Sequence, residues 1–234
     1  MTDRMKARVA GSLWLVVIAG GMAGFLPRSR LIVRGDAAAT AANILAFESV
    51  FRLAFAADLI AGVCYLGVTV LLYELLKPVS RTLSLLAASF GLAGVAIGAA
   101  SSLHSLAPLL QLGRAADLTA FSAGQLQAQA LLSLRMYEQG FSVSMVFFGV
   151  QCVTIGFLIV RSTILPRILG WLLAIGGSSY VISSFANFLS PPLGAWLSPW
   201  IAPAAIVGEG SLCLWLLAKG VNPVPPEIRV GLSR

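Results

Sequence analysis

The chain has 234 residues, of which 58% are hydrophobic and only 11% are charged. A soluble domain carries about 25% charged residues, so too few polar side chains are present to cover a water-facing surface, and a mean hydropathy of +0.90 argues against a soluble helical protein with a large core. The net charge of +7 does not point to nucleic acid, because the basic residues sit at the ends of apolar runs and not on one polar face.

Thr2 to Arg8 is polar and basic, and Val9 to Leu26 is then almost wholly apolar. The run is longer than the apolar region of a typical signal peptide and long enough to cross a bilayer, so the expectation is an uncleaved first span over 9–26. Pro27 to Ala42 reads as a polar loop with Arg28, Arg30, Arg34 and Asp36. Asp36 or Thr40 is placed to cap a short helix from about Ala41, which would bring Glu48 and Arg52 onto one face at i,i+4. The second span is expected over 53–76. Lys77-Pro-Val-Ser-Arg81 is a tight basic turn, and the third span follows over 82–112, long enough to tilt, protrude or bend, with Pro108 marking a bend near its end.

Gly113 to Gln129 is a second polar loop in which Asp117 or Thr119 starts a short surface helix. The fourth span is expected over 137–160 and the fifth over 168–189. Arg161 and Arg167 bracket the turn between them, and Pro166 stands where a new helix begins. Gly170, Gly176 and Gly177 would let that helix pack closely. Ser190-Pro-Pro-Leu-Gly194 reads as an uncharged loop, and the sixth span runs over 199–217 with Pro203 in its first turn. The tail from Asn222 is too rich in proline for a helix and is expected to extend into water. A faint repeat links Arg81-Thr-Leu-Ser-Leu-Leu-Ala-Ala to Arg167-Ile-Leu-Gly-Trp-Leu-Leu-Ala; each opens an odd-numbered span.

Arginine and lysine set the orientation. With the N-terminus inside, the inner side holds Arg4, Lys6, Arg8, Lys77, Arg81, Arg161, Arg167, Lys219, Arg229 and Arg234, and the outer side holds Arg28, Arg30, Arg34, Arg52, Arg114 and Arg135. The inner loops are also the short ones, where the positive-inside rule works best. The expected fold is therefore all-α: one membrane domain, a bundle of six transmembrane helices with both termini cytoplasmic, in the inner (plasma) membrane.

Cys64, Cys152 and Cys213 lie far apart inside apolar runs with no C-x-x-C spacing, so they read as small core-like hydrophobes and not as a disulfide framework or a zinc site. Ionisable and amide groups inside spans are costly and are functional candidates by default. Asp58 falls about 9 Å deeper than Arg52, and His104 about 12 Å below Leu112, at 1.5 Å per residue. Arg135 and Glu138 stand at the outer start of the fourth span, Gln151 lies further in, and Asn187 ends the fifth. Arg52, Asp58, His104, Arg135, Glu138, Gln151 and Asn187 together predict a polar pocket opening outward. Tyr65 lies seven residues beyond Asp58 on the same face. The competing structural expectation is that Asp58 pairs with Arg52 or Arg135 and merely locks helices together. Glu209, between Gly208 and Gly210, is a separate buried acid that either carries protons or hydrogen-bonds across a close helix contact.

Catalysis is less well supported. Ser101, Ser102 and Ser105 flank the sole histidine, His104, but no G-x-S-x-G elbow is present and serines commonly pack membrane helices. One histidine is too few for zinc, and with Met136 and Met145 it is weak evidence for haem, so no cofactor is expected. The lipid bilayer is the expected partner, with a small-molecule or lipid ligand in the pocket. A regulatory role beside another membrane protein, without a ligand, remains the alternative.

Leu165-Pro-Arg-Ile-Leu-Gly-Trp-Leu-Leu-Ala-Ile-Gly-Gly-Ser-Ser-Tyr180 resembles the bacterial multi-pass membrane proteins grouped as domain of unknown function 4386. Phe147-Phe148-Gly149 with Arg161-Ser162, Arg8-Val-Ala-Gly-Ser-Leu, and Arg52 with Asp58 fit the same pattern, and the resemblance extends from about Lys6 to Leu217. It implies a helical inner-membrane protein and supplies no established activity, so no catalytic role is carried over from it.

Overall fold

A computed structural model describes residues 1–113 and 118–222. Arg114, Asp117, Arg229, Arg234 and the tail beyond Asn222 lie outside the described residues. Among the described residues, seven helices follow in chain order: α1 (Asp3–Leu31), α2 (Ala37–Ala46), α3 (Glu48–Leu76), α4 (Arg81–Gly113), α5 (Ala123–Arg161), α6 (Arg167–Leu189) and α7 (Pro191–Ala218). All but α2 are long and apolar enough to cross a membrane, six in all. Helices satisfy their own backbone groups, which hydrocarbon cannot do for them. The protein is thus an all-α, multi-pass membrane protein.

Several helix ends lie outside the expected bounds, and each has a local cause. α1 does not stop at Leu26 but continues through Pro27 to Leu31, which carries Arg28 into the helix and delays the polar loop. Prolines inside membrane helices are tolerated because neighbours re-satisfy the freed backbone groups. α4 also carries a proline, Pro108, and ends at Gly113, close to its expected bound. α2 starts earlier than expected because Asp36 caps it, accepting the Ala39 N–H at 2.8 Å. Thr40 instead pins the preceding loop: its hydroxyl accepts the Val33 N–H at 3.0 Å. α2 ends before Phe47, so Glu48 and Arg52 belong to the first turns of α3.

No separate surface helix forms at Thr119, which lies in a turn. The helix begins at Ala123 behind a capping box: Ser122 Oγ accepts the Gln125 N–H at 3.3 Å, and Gln125 Oε1 accepts the Ser122 N–H at 2.7 Å. α5 then runs unbroken for 39 residues. The loop expected at 190–194 shrinks to Ser190, because Pro191 and Pro192 occupy the first helical positions of α7, where a missing N–H costs nothing. Pro203 therefore lies well inside α7, not in its first turn.

The chain divides into two compact units. One comprises Met1–Leu15, Cys64–Val95 and Val143–Arg234; the other comprises Val16–Val63 and Ala96–Ser142. In the first, α5 and α6 pack antiparallel through two glycine pairs. A Cβ on Gly149 would lie 2.5 Å from the Gly177 carbonyl oxygen, and one on Gly156 would lie 2.5 Å from that of Gly170. The two pairs are one heptad apart on each helix, so the backbones meet along a seam. α6 and α7 form a hairpin in which a Cβ on Gly208 would sit 2.6 Å from the Leu172 carbonyl oxygen. α1 joins α7 where Cys213 Sγ donates to the Gly11 carbonyl at 3.3 Å. After α7, Gly220 takes φ +73°, and the chain turns so that the Asn222 N–H donates to Ile164 O at 3.0 Å. In the second unit, Leu31, Ile44, Phe51, Leu109 and Leu134 form the buried core.

Candidate functional site

Two polar clusters are built inside the spans, one in each unit. The first is centred on Glu209 of α7. Its Oε1 accepts the Tyr180 hydroxyl of α6 at 2.6 Å, and its Oε2 accepts the Trp14 indole N–H of α1 at 3.2 Å. Trp14 meets Tyr65 of α3 edge-on at 6.3 Å between centroids; Tyr65 meets Phe148 of α5 at 5.1 Å, and Phe148 meets Tyr180 at 5.4 Å. The four rings and the carboxyl thus close a circuit. Tyr65 also donates to Gln151 Oε1 at 2.8 Å, and Gln151 Nε2 donates to Thr69 Oγ1 at 3.3 Å. Gly91 of α4 makes room for that amide, since a Cβ there would lie 2.5 Å from Gln151 Nε2. All six spans contribute to this cluster. Trp14, Tyr65, Thr69 and Gln151 are buried, and interhelical hydrogen bonds of this kind hold membrane bundles together.

The second cluster joins α1, α3 and α5. Arg28 donates an Nη–H to Asp58 Oδ2 at 2.5 Å. The Arg28 guanidinium lies 4.6 Å from the Tyr137 ring centroid, a cation–π stack, and the Tyr137 hydroxyl lies 3.4 Å from Asp58 Oδ2. Gly24, one turn before Arg28, leaves space for the carboxylate: a Cβ there would lie 3.0 Å from Asp58 Cγ. Arg28 is only 5% exposed, and its Nε is buried with no hydrogen-bond partner among the described residues.

Of the residues singled out in the sequence, Arg52, Asp58, His104, Arg135 and Glu138 belong to the unit that holds Arg28, whereas Gln151, Asn187 and Glu209 belong to the other. Asp58 pairs with Arg28, not with Arg52 or Arg135. Arg52 pairs with Glu48 at 2.7 Å on the exposed face of α3. Arg135 and Glu138 are exposed, and His104 is half-buried. The neighbouring serines turn their hydroxyls back onto their own helix: Ser101 donates to Ile97 O, Ser102 to Gly98 O and Ser105 to Ser102 O. None of the three donates to His104. Gln151 bonds Tyr65 and Thr69, and Tyr65 follows Gln151 and not Asp58. Asn187 packs where a Cβ on Gly194 would lie 2.7 Å from its Cγ.

Arg28, Tyr137, Trp14 and Tyr180 are site residues that the sequence pattern does not single out. Pro27 reads as a helix end in the sequence, which places Arg28 in the loop. Its spacing was the available signal, since Gly24 and Arg28 are one turn apart and share a face. The three aromatics carry no such signal, because an aromatic in an apolar run is ordinary core material.

Residues 9–220 match the family described as Domain of unknown function (DUF4386). An uncharacterized protein of Archaeoglobus fulgidus is 29% identical over 153 residues, covering 65% of this chain and 75% of the relative. No solved structure matches the chain.

Proposed function

The chain belongs to the DUF4386 family, and from that premise, which brings no activity with it, we propose that it is a plasma-membrane protein binding a small molecule or lipid through a polar pocket open to the outer face. The observation that supports the reading is the buried Nε of Arg28, which lacks an acceptor among the described residues. A buried donor without a partner costs about 1–3 kcal/mol, and more where the group is charged. Such a group inside a span marks a place where a further acceptor is expected. Asp58 and Tyr137 hold the guanidinium in place, and Arg52, His104, Arg135 and Glu138 are offered as the polar surroundings of the ligand's approach.

The orientation follows from the lysine and arginine distribution. Withdrawing Arg28 into α1 removes a cation from the outer loops and sharpens the inner excess, which supports cytoplasmic termini. The second reading is a ligand-free partner of another membrane protein. The Glu209 cluster favours it, because both carboxyl oxygens are already engaged. An enzymatic role for His104 has less support, because the adjacent serine hydroxyls are committed to helix carbonyls.

Native mass spectrometry of the protein in mild detergent tests the ligand reading. A bound mass is expected in the wild type and in Arg30→Gln, and its loss is expected in Arg28→Gln. An apo mass in the wild type, with a second protein retained at fixed stoichiometry, would replace this reading by the second.

A further inference from the structure

We infer that the ligand of the Arg28 site is an anionic oxygen group, a phosphate or a carboxylate, that docks on the buried guanidinium in competition with Asp58. The inference rests on the ligand-binding reading above and names its chemistry. A guanidinium has five N–H donors in a rigid fork that matches phosphate and carboxylate oxygens, and it has no acceptor of its own. Here the side chain is 6% exposed and Asp58 takes an Nη, while the Nε–H is buried and empty-handed among the described residues. What fits an orphan donor on a cation is an oxygen carrying negative charge. A cation at Asp58 would instead have to sit beside Arg28, at like-charge cost.

Three further observations agree. The Tyr137 ring against the guanidinium holds its plane, so the open donor is pre-oriented. Asp58 keeps 15% side-chain exposure, more than the arginine it neutralises, so it is the partner better placed to yield. The remaining charges among the described residues of this unit do not oppose an anion. Asp36 caps α2 and Glu48 pairs with Arg52. Arg30, Arg34 and Arg135 are exposed, as is Glu138, and none of these three arginines forms an ion pair among the described residues. The anion has two sources of the same chemistry, the headgroup of a membrane lipid or a free solute.

Competition with Asp58 gives a sign that a purely structural ion pair would not show. Asp58→Asn leaves Arg28 charged, buried and unpaired, so an anion should stabilise this variant more than the wild type. The experiment is thermal unfolding of the full chain in detergent, with wild type, Asp58→Asn and Arg28→Gln each titrated with dioleoylphosphatidylglycerol, inorganic phosphate, acetate and the neutral dioleoylglycerol. The expected result is a rise in Tm with phosphatidylglycerol in the wild type, an apparent affinity about tenfold tighter in Asp58→Asn, no response in Arg28→Gln, and none to dioleoylglycerol. A matching response to phosphate or acetate assigns the site to a free anion; a response to the phospholipid alone assigns it to a headgroup, and both support the inference. Equal shifts with dioleoylglycerol, an unchanged shift in Arg28→Gln, or weaker binding in Asp58→Asn would overturn the anion while leaving ligand binding in place. No shift with any anion, in wild type and Asp58→Asn alike, would overturn it too; a bound mass in the native spectrum would then show that the broader reading survives. Should Arg28→Gln fail to fold, the comparison of Asp58→Asn with wild type decides alone.

Discussion

Arg28 and Arg52 each pair with a carboxylate in the same unit, and burial separates the two pairs. Arg52 and Glu48 are 58% and 45% exposed on one helix face, where water and salt screen the attraction. Arg28 and Asp58 are 6% and 15% exposed and join two helices. Breaking a buried pair leaves an uncompensated charge behind, at about 3–5 kcal/mol, whereas an exposed pair is worth about 0–1 kcal/mol. Asp58→Asn is therefore expected to lower unfolding stability in detergent by about 3 kcal/mol, and Arg52→Gln to leave it within about 0.5 kcal/mol. At Glu209 the same measurement should rank two variants. Tyr180→Phe removes one hydrogen bond and is expected to cost about 1–2 kcal/mol. Glu209→Ala should cost more, because it orphans both the Tyr180 hydroxyl and the Trp14 indole N–H. Equal effects would mean that the Trp14 contact adds nothing to stability.

At the scale of the element, glycine lets helices approach closely. The α5–α6 seam pairs Gly149 with Gly177 and Gly156 with Gly170, and in each case the nearest neighbour is backbone and not a side chain that could turn away. Gly156→Ala is expected to push the helices apart and destabilise by about 1–3 kcal/mol, the usual cost of overpacking. Gly210→Ala in α7 has nothing within 4 Å of the new methyl group and should be neutral or slightly stabilising in the same assay. The close packing of Gly170 and Gly177 was legible in the sequence, because small residues spaced along an apolar helix have few other uses. Which helix they face was not, since Gly149 and Gly156 lie in a run that also offers Phe147 and Phe148 for packing. Helix ends show the same division. Asp36 is one of two candidate caps for α2, and its bond needs no tertiary partner, yet the helix starts at Ala37, before the expected Ala41. The length of α1 beyond Pro27 is not announced, because a proline reads as a stop until its surroundings make the helix worth continuing.

At the scale of the whole molecule, the distribution of lysine and arginine predicts an orientation, and cysteine labelling can read it directly. With both termini cytoplasmic, Arg34→Cys is expected to react with an impermeant thiol reagent added to intact cells, and Pro78→Cys only after permeabilisation. Cys152 and Cys213 are buried and Cys64 lies partly buried within α3, so the native thiols should leave a low background. The reverse labelling pattern would invert the topology and place the Arg28 site at the cytoplasmic face.

The sequence by itself determined that this is a helical protein of the membrane, with six spans in order and Glu209 and Asp58 as acids inside them. Hydropathy, helix length and the cost of a charge in hydrocarbon act on each segment separately, so each can be read from a segment alone. Only the tertiary structure decided the partners. Asp58 meets Arg28 across helices, Glu209 meets Trp14 and Tyr180 from opposite ends of the chain, and Gln151 meets Tyr65. These pairings depend on helix rotation and backbone approach, which are set by side-chain packing and glycine seams over the bundle. Apolar runs that look alike in sequence carry too little information to specify them.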